Sequence, residues 1–243
     1  MENKKVLEKE FFARVPKARR INPFFRSVFE FMYEAHLSAG AGKRLLNVYS
    51  SNEIDKSGDR EELYHEKFFN ECDYDAIDFW KDNFIYKGKE VSMPHTLPFE
   101  DKSFDVLVTT KYIMEHVSRP EKVIQEFYRV LRPDGEAFVA ASLVRRQHQK
   151  PYDYFRYTEF ALENLFKKAG FKEIFIKPTN GAMATFAEYF YFFQRGLGLP
   201  KALESFCDLL HYWVISPAFF FLDRFDNGYG RDLTQYFLVR AKK

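Results

Sequence analysis

The chain has 243 residues, with 37 Lys and Arg against 35 Asp and Glu, for a formal net charge of +2. That length fits one large α/β domain with a substantial core, and the balanced charge makes no case for nucleic acid as a partner. Cys72 and Cys207 supply neither a disulfide framework nor a metal-ligand spacing, so reduced thiols, no metal and a cytoplasmic location are expected.

Residues 1–20 carry an excess of Lys and Arg, either a solvated helix face or a basic arm for an anionic partner or membrane surface. They contain no long apolar run, so no signal peptide is expected. Residues 2–12 read as a short helix. Asn22-Pro23 is a helix start, with Asn as the cap and Pro at the first helical position. The helix over 24–38 puts Phe25, Val28, Phe29 and Met32 on one face and ends at Gly40.

Strands are predicted over 44–48, 73–79, 84–91, 105–109, 136–143, 171–177 and 236–239. Helices are predicted over 59–69, from Pro120 to Leu131, and from Thr158-Glu159 to Gly170. A loop spans 145–157. Residues 182–226 form an aromatic helical insertion, in which Phe186, Tyr189, Phe190, Phe193 and Leu197 recur at helical spacing, as do Leu209, Trp213 and Phe220. Burial over the sheet as a lid is the first reading of these stripes. Docking on a membrane or a protein partner is the second. The apolar stretch 209–222, interrupted by His211 and Pro217, is shorter than the roughly 20 residues of a membrane span.

Alternation of strand and helix predicts a doubly wound, mostly parallel, seven-stranded Rossmann-like sheet with helices on both faces and a helical C-terminal insertion. One domain is expected over 1–243: N-terminal helices to 43, a core over 44–181, the insertion over 182–232 and a last strand over 233–243.

The central block is the most specific part of the sequence. Leu97-Pro98-Phe99 leads through Ser103-Phe104-Asp105 into Val106-Leu107-Val108. Glu115-His116-Val117, then Glu126-Phe127-Tyr128-Arg129-Val130-Leu131-Arg132-Pro133-Asp134-Gly135 follow. The order is turn, buried strand, loop, amphipathic helix, tight turn and strand, a right-handed βαβ crossover. These residues resemble the LPF, SFD, EHV and E-x-x-RVL-x-PGG series of class I S-adenosylmethionine-dependent methyltransferases of the type 11 kind. The resemblance runs from about residue 45 to 177, and weakly to 239. In it Asp134-Gly135 replaces a Gly-Gly turn, with Gly135 as the permissive residue; His116 reads first as a structural histidine and second as a general base.

The resemblance implies S-adenosylmethionine as cofactor, no metal, and a small-molecule, glycan or lipid-linked acceptor. It places the cofactor at the exit of the first strand, where the family carries a glycine-rich turn. Here Tyr49, Ser50 and Ser51 occupy that turn, with Glu53 at the third glycine position. Tyr74-Asp75-Ala76-Ile77-Asp78 resembles the family's Y-x-G-x-D, which makes Asp78 the acid for the ribose hydroxyls and sets Phe79 against adenine. Met93 stands where the family often has an acid near the adenine amino group. Thr109, Thr110 and Lys111 would line the pocket floor.

A second segment, His148-Gln149-Lys150-Pro151-Tyr152-Asp153-Tyr154-Phe155-Arg156-Tyr157-Thr158, resembles the family's H-x-x-P-x-D-Y-x-R-Y-T. It implies His148 and Tyr154 as catalytic candidates, and Asp153, Arg156 and Tyr157 as substrate contacts. A self-satisfied loop is the other reading, with Asp153 paired to Arg156 and Thr158 capping the next helix. Two functions stay open: a methyltransferase, and a catalytically inactive methyltransferase-like binding or scaffold protein that has lost the cofactor.

Overall fold

The computed structural model describes residues 9–15, 19, 21–50, 68–109 and 112–243. The predicted helix over 59–69 lies almost wholly outside them, as does the first part of the helix over 2–12. Helix α1 (Pro23–Ala39) begins as its sequence dictates. The Asn22 side chain accepts from Phe24 N at 2.9 Å, and Pro23 needs no amide partner.

Strands β1 (Arg44–Tyr49), β2 (Asp73–Trp80), β3 (Asn83–Tyr86), β4 (Lys89–Glu90), β5 (Phe104–Val108), β6 (Leu131–Ser142), β7 (Glu173–Pro178) and β8 (Tyr236–Lys242) form one sheet in the order β4-β3-β2-β1-β5-β6-β8-β7. The sheet has eight strands rather than seven, and it is less parallel than expected. β1·β2, β1·β5 and β5·β6 pair parallel; β2·β3, β3·β4, β6·β8 and β7·β8 pair antiparallel. Two of the antiparallel pairs come from β8, which lies between β6 and β7; the other two, and the eighth strand, come from the predicted third strand. It is a pair of short strands returning on β2 through two-residue turns at Lys81-Asp82 and Lys87-Gly88, all four residues with positive φ. That backbone matches the hairpin turns that follow the twist of the strands.

Helices α2 (Pro120–Val130) and α3 (Glu159–Ala169) cover one face. Val123, Ile124, Phe127 and Val130 of α2 pack with Leu162 and Phe166 of α3 on Leu46, Val48, Ile77 and Phe79. The other face carries α1 with Phe11 and Phe68, over Leu45, Val106, Val108 and Phe138. Successive strand residues face opposite layers, and this alternation decides which side chains reach the site.

Two turns close this frame. Gly170 ends α3 at φ 108°, where a Cβ would also press on the Tyr128 ring. In the Asp134-Gly135 turn the left-handed residue is Asp134, at φ 64°, and not Gly135. Gly135 is required for closeness instead: a Cβ there would meet Arg132 O at 2.9 Å and Asp105 O at 3.1 Å.

Candidate functional site

The carboxyl edge of β1 and β2 holds the first group of expected residues. Asn47 is fully buried and donates through Nδ2 to the Tyr74 hydroxyl at 2.8 Å. Tyr49 is in register with Asp78, so the two are neighbours on the α1 side of the sheet. Ser50 is buried, and its Oγ has no hydrogen-bond partner among the described residues. Ser51, Glu53, Thr110 and Lys111 lie outside the described residues.

The structure departs from expectation at β2. Asp78 is not the last residue of its strand: it pairs with Ile85 of β3, and β2 runs on to Trp80. Phe79 points to the opposite layer, 1 % exposed, its ring edge-on to Phe84 at 5.1 Å. That ring belongs to the core and is not free to lie against adenine. Met93 is 63 % exposed. Close by, His95 is buried with Nε2 2.9 Å from Asp82 Oδ1, which also accepts from Ser118 N at 2.8 Å. Those bonds tie the hairpin tip to the loop after β5. Thr109 is buried too, its Oγ1 accepting from Ala140 N at 3.1 Å, which makes it a β5–β6 tie rather than a pocket floor.

A second group forms where the loop over 145–158 folds onto the short helix Met114–His116. The Glu115 carbonyl accepts from Tyr154 N at 2.7 Å, and the Tyr157 hydroxyl donates to Met114 O at 2.9 Å. Burial, then Glu115, raises the pKa of the Tyr157 phenol well above its ordinary value. Arg156 grips Asp153 with two bonds, of 2.6 and 2.9 Å, and donates to the carbonyls of Arg145, Arg146 and Phe155. Burial of Asp153 opposes its charge, but Arg156 and the His148 N–H outweigh this and hold its pKa below the usual carboxylate value. Thr158 caps α3 through Ala161 N at 3.2 Å.

Asp153 and Arg156 thus bond within the loop and Tyr157 bonds to Met114 O, the self-satisfied arrangement that was the other reading of this segment. A Y-x-R-Y segment can close on its own acid as readily as on a ligand. Tyr154 remains 42 % exposed on the rim, its pKa raised by partial burial and then by Asp82. His148 sets Nε2 3.9 Å from Glu115 Oε1, and burial pushes its pKa down.

Sequence reasoning assigned no role to Glu115, Arg145, Glu188 or Tyr236. Glu115 is fully buried, and its Oε1 accepts from the Tyr236 hydroxyl at 3.0 Å. An acid set between Met114 and Val117 in an apolar segment was the available signal. The Arg145 guanidinium lies 5.9 Å over the Tyr236 ring and is ion-paired with Glu188.

Beyond that ion pair a cavity of about 660 Å³ opens between the start of α1 and the insertion, lined by Asn22, Phe24, Arg145, Glu188, His211 and Trp213 among others. The insertion comprises α4 (Ala182–Gly196), α5 (Lys201–Leu210) and α6 (Ser216–Leu222), the last two joined through His211–Ile215. Two aspartates from its far end hold the start of α4: Asp223 accepts from Gly181 N and Ala184 N, and Asp226 from Ala182 N.

Burial of the aromatic stripes is not what is found. Phe186, Phe193, Leu209 and Trp213 are 53, 63, 57 and 67 % exposed. The helical run Lys201–Phe225 is 25 residues long and by length and composition apolar enough to cross a membrane, and its apolar side chains are barely covered. The run is longer than the sequence suggests because Pro217 lies in the first turn of α6 and does not interrupt it.

The fold is that of the class I methyltransferases, and the family model described as "Methyltransferase domain" matches residues 67–139. Two curated relatives, the ubiquinone/menaquinone biosynthesis C-methyltransferases of Roseobacter denitrificans and of a Ruegeria species, are each 38 % identical over 63 residues, 25 % of this chain and 25 % of theirs. The chain thus matches about a quarter of the length of those relatives. Among solved structures, the 1,6-didemethyltoxoflavin-N1-methyltransferase of Burkholderia thailandensis, with bound 1,6-didemethyltoxoflavin and S-adenosylhomocysteine, superimposes with a TM-score of 0.50 at 12 % identity, over 89 % of this chain and 78 % of that one.

Proposed function

We propose that this protein is an S-adenosylmethionine-dependent methyltransferase whose acceptor is apolar or lipid-linked, and that it works peripherally at a membrane surface. One observation carries the reading: on a methyltransferase fold, the Tyr49–Asp78 edge and the 660 Å³ cavity walled by the exposed apolar insertion coexist in one domain.

The residues present suit the cofactor. Ser50 Oγ, at the exit of β1, is a buried polar atom with no hydrogen-bond partner among the described residues, and Asp78, opposite Tyr49, is a carboxylate able to accept from ribose hydroxyls. Ser50 would meet the amino-acid end and Asp78 the ribose. When bound, the cofactor supplies an electrophilic methyl group. The chain's own task is then positioning, because methyl transfer depends mainly on alignment of acceptor and donor. The Arg145–Glu188 pair gives the cavity wall one polar spot for an acceptor head group, while Phe24 and Trp213 take apolar surface. Tyr154 on the rim orders the approach. The exposed aromatic face of α5 and α6 suits the membrane interface, where rings with polar edges settle.

The test uses full-length protein, calorimetry with S-adenosylhomocysteine, and methyl-labelled S-adenosylmethionine offered with a membrane lipid extract. The reading expects binding, and label in the organic phase. Absence of heat at millimolar ligand overturns it and leaves a binding or scaffold protein; binding with label only in water-soluble products overturns the lipid-linked acceptor.

A further inference from the structure

No metal-ligand spacing is visible in the sequence, yet the fold brings three ligand-bearing side chains together beneath the loop over 145–158. Glu115, His116 and His148 each offer one ligand atom, and these atoms all lie within 4.8 Å of one another. The two imidazoles meet edge to face, 4.7 Å apart.

The hydrogen bonds around the cluster settle which atoms face inward. His116 Nδ1 lies 2.6 Å from Tyr152 O, and His148 Nδ1 lies 3.2 Å from Arg146 O. A carbonyl only accepts, so both rings carry a proton on Nδ1, and in the neutral rings each Nε2 presents a lone pair. His116 Nε2 and Glu115 Oε2 are buried and have no hydrogen-bond partner among the described residues. Glu115 Oε1 accepts from Tyr236 and lies 3.9 Å from His148 Nε2, and Oε2 is the oxygen without a partner among the described residues.

Two nearby cations already have carboxylates of their own: Arg145 has Glu188 and Arg156 has Asp153. Among the described residues, His116 Nε2 and Glu115 Oε2 thus lie buried beside His148 without a donor, an arrangement that buried polar groups avoid unless something is bound.

The structure assigns to Glu115, His116 and His148 a site for one divalent transition-metal ion of the zinc class. Two imidazoles and a carboxylate suit zinc, cobalt or iron and disfavour magnesium or calcium, which prefer all-oxygen shells. The carbonyls of Tyr152 and Arg146 do what outer partners of metal-bound histidines generally do: they fix the tautomer and aim Nε2. Metal–ligand bonds of about 2.0–2.2 Å place tetrahedral ligand atoms roughly 3.3 Å apart, so small side-chain rotations contract the cluster onto an ion. Three protein ligands leave a fourth position open. His148, a quarter exposed where the other two are buried, is the side from which an ion enters. This assignment does not depend on the methyltransferase reading.

The experiment is a titration of chelator-stripped full-length protein with Co²⁺, followed by visible absorption, and with Zn²⁺, followed by calorimetry. The expected result is one equivalent of Co²⁺ bound with ligand-field bands, displaced by Zn²⁺. His148→Ala and His116→Ala should each weaken binding by more than the roughly 10–100-fold that losing an outer partner costs. Glu115→Gln should do the same. Where it does not fold, His148→Ala, on the partly exposed loop, decides the matter, with circular dichroism confirming the fold. Cys72→Ser with Cys207→Ser should leave binding unchanged. Absence of uptake at near-millimolar metal overturns the assignment, as does affinity that survives His148→Ala or vanishes with the thiols.

Discussion

Replacing Arg156 by alanine should unlatch the loop that covers the Glu115–His148 group. Arg156 makes two bonds to Asp153, whose side chain is 3 % exposed, and donates to three loop carbonyls. Removing it leaves, among the described residues, a buried carboxylate with the His148 N–H as its donor and the His148 ring 3.7 Å away. Breaking a buried ion pair from one side costs about 3–5 kcal/mol. The loop lies at the surface and water can reach the vacated space, so we expect about 2–3 kcal/mol, at the low end of that range and below it. Urea unfolding at neutral pH measures the loss. Asp153→Asn combined with Arg156→Ala should cost less than the two single changes added together, because the stranded charge is gone. A loss under about 1 kcal/mol for Arg156→Ala, or strict additivity in the pair, would refute the latch.

Asp226→Ala should destabilise the protein by about 1 kcal/mol through the lost cap of α4. Backbone donors, Gly230 first, hold the Asp226 pKa below its ordinary value, so its stabilising effect is present above the unfolded carboxylate pKa of about 3.9 and is lost as pH falls through the folded one. The gap between wild type and variant in urea midpoints should therefore close below about pH 4. Asp78→Ala should weaken S-adenosylhomocysteine binding by about 1.5–3 kcal/mol in calorimetry, the scale of a hydrogen bond to a charged group. Phe79→Ala should act on stability, lowering it by about 3–5 kcal/mol in chemical denaturation, since its ring is core. Trp213→Ser should reduce liposome flotation by roughly tenfold or more, from about 1.5–3 kcal/mol of lost apolar burial, and leave the melting temperature unchanged. Equal flotation of the variant and the native chain would remove the His211–Ile215 segment between α5 and α6 from the membrane-facing surface.

Features written in local chemistry are legible in the sequence itself. Asn22-Pro23, Thr158 and Gly170 act within a turn of where they stand, and each does what its residue type allows. Patterns read less well where one signal serves two geometries. Phe84, Tyr86 and the residues to Val91 alternate like one strand, and only the paired positive-φ turns at Lys81-Asp82 and Lys87-Gly88 divide them and fold them back on β2. The stripe from Phe186 to Leu197 is the same sequence whether it covers a core or faces outward, because periodicity reports amphipathicity and not the occupant of the apolar side. Asp78 and Phe79 separate for a third reason: neighbours along a strand cannot share a face, so one lies beside Tyr49 and the other in the core.

The parts no pattern could reveal are those assembled across the sheet, and Tyr236 is where they join. Its hydroxyl satisfies one oxygen of the buried Glu115, its ring carries the Arg145 guanidinium, and Arg145 pairs with Glu188 of α4. A carboxylate on the loop after β5 and a helix of the insertion are thus connected through one β8 side chain far along the chain from the first. Displacement of α4 would first break the Arg145–Glu188 pair and next disturb the packing of Arg145 on Tyr236. The Glu115 group lies one hydrogen bond further on. Because Glu115 has a second oxygen with no partner among the described residues, loss of the Tyr236 bond would leave a fully buried carboxylate unsatisfied, a penalty larger than the worth of the bond itself. The cavity wall and the acid–histidine group are thus joined by a continuous series of contacts, Glu188 to Arg145 to Tyr236 to Glu115.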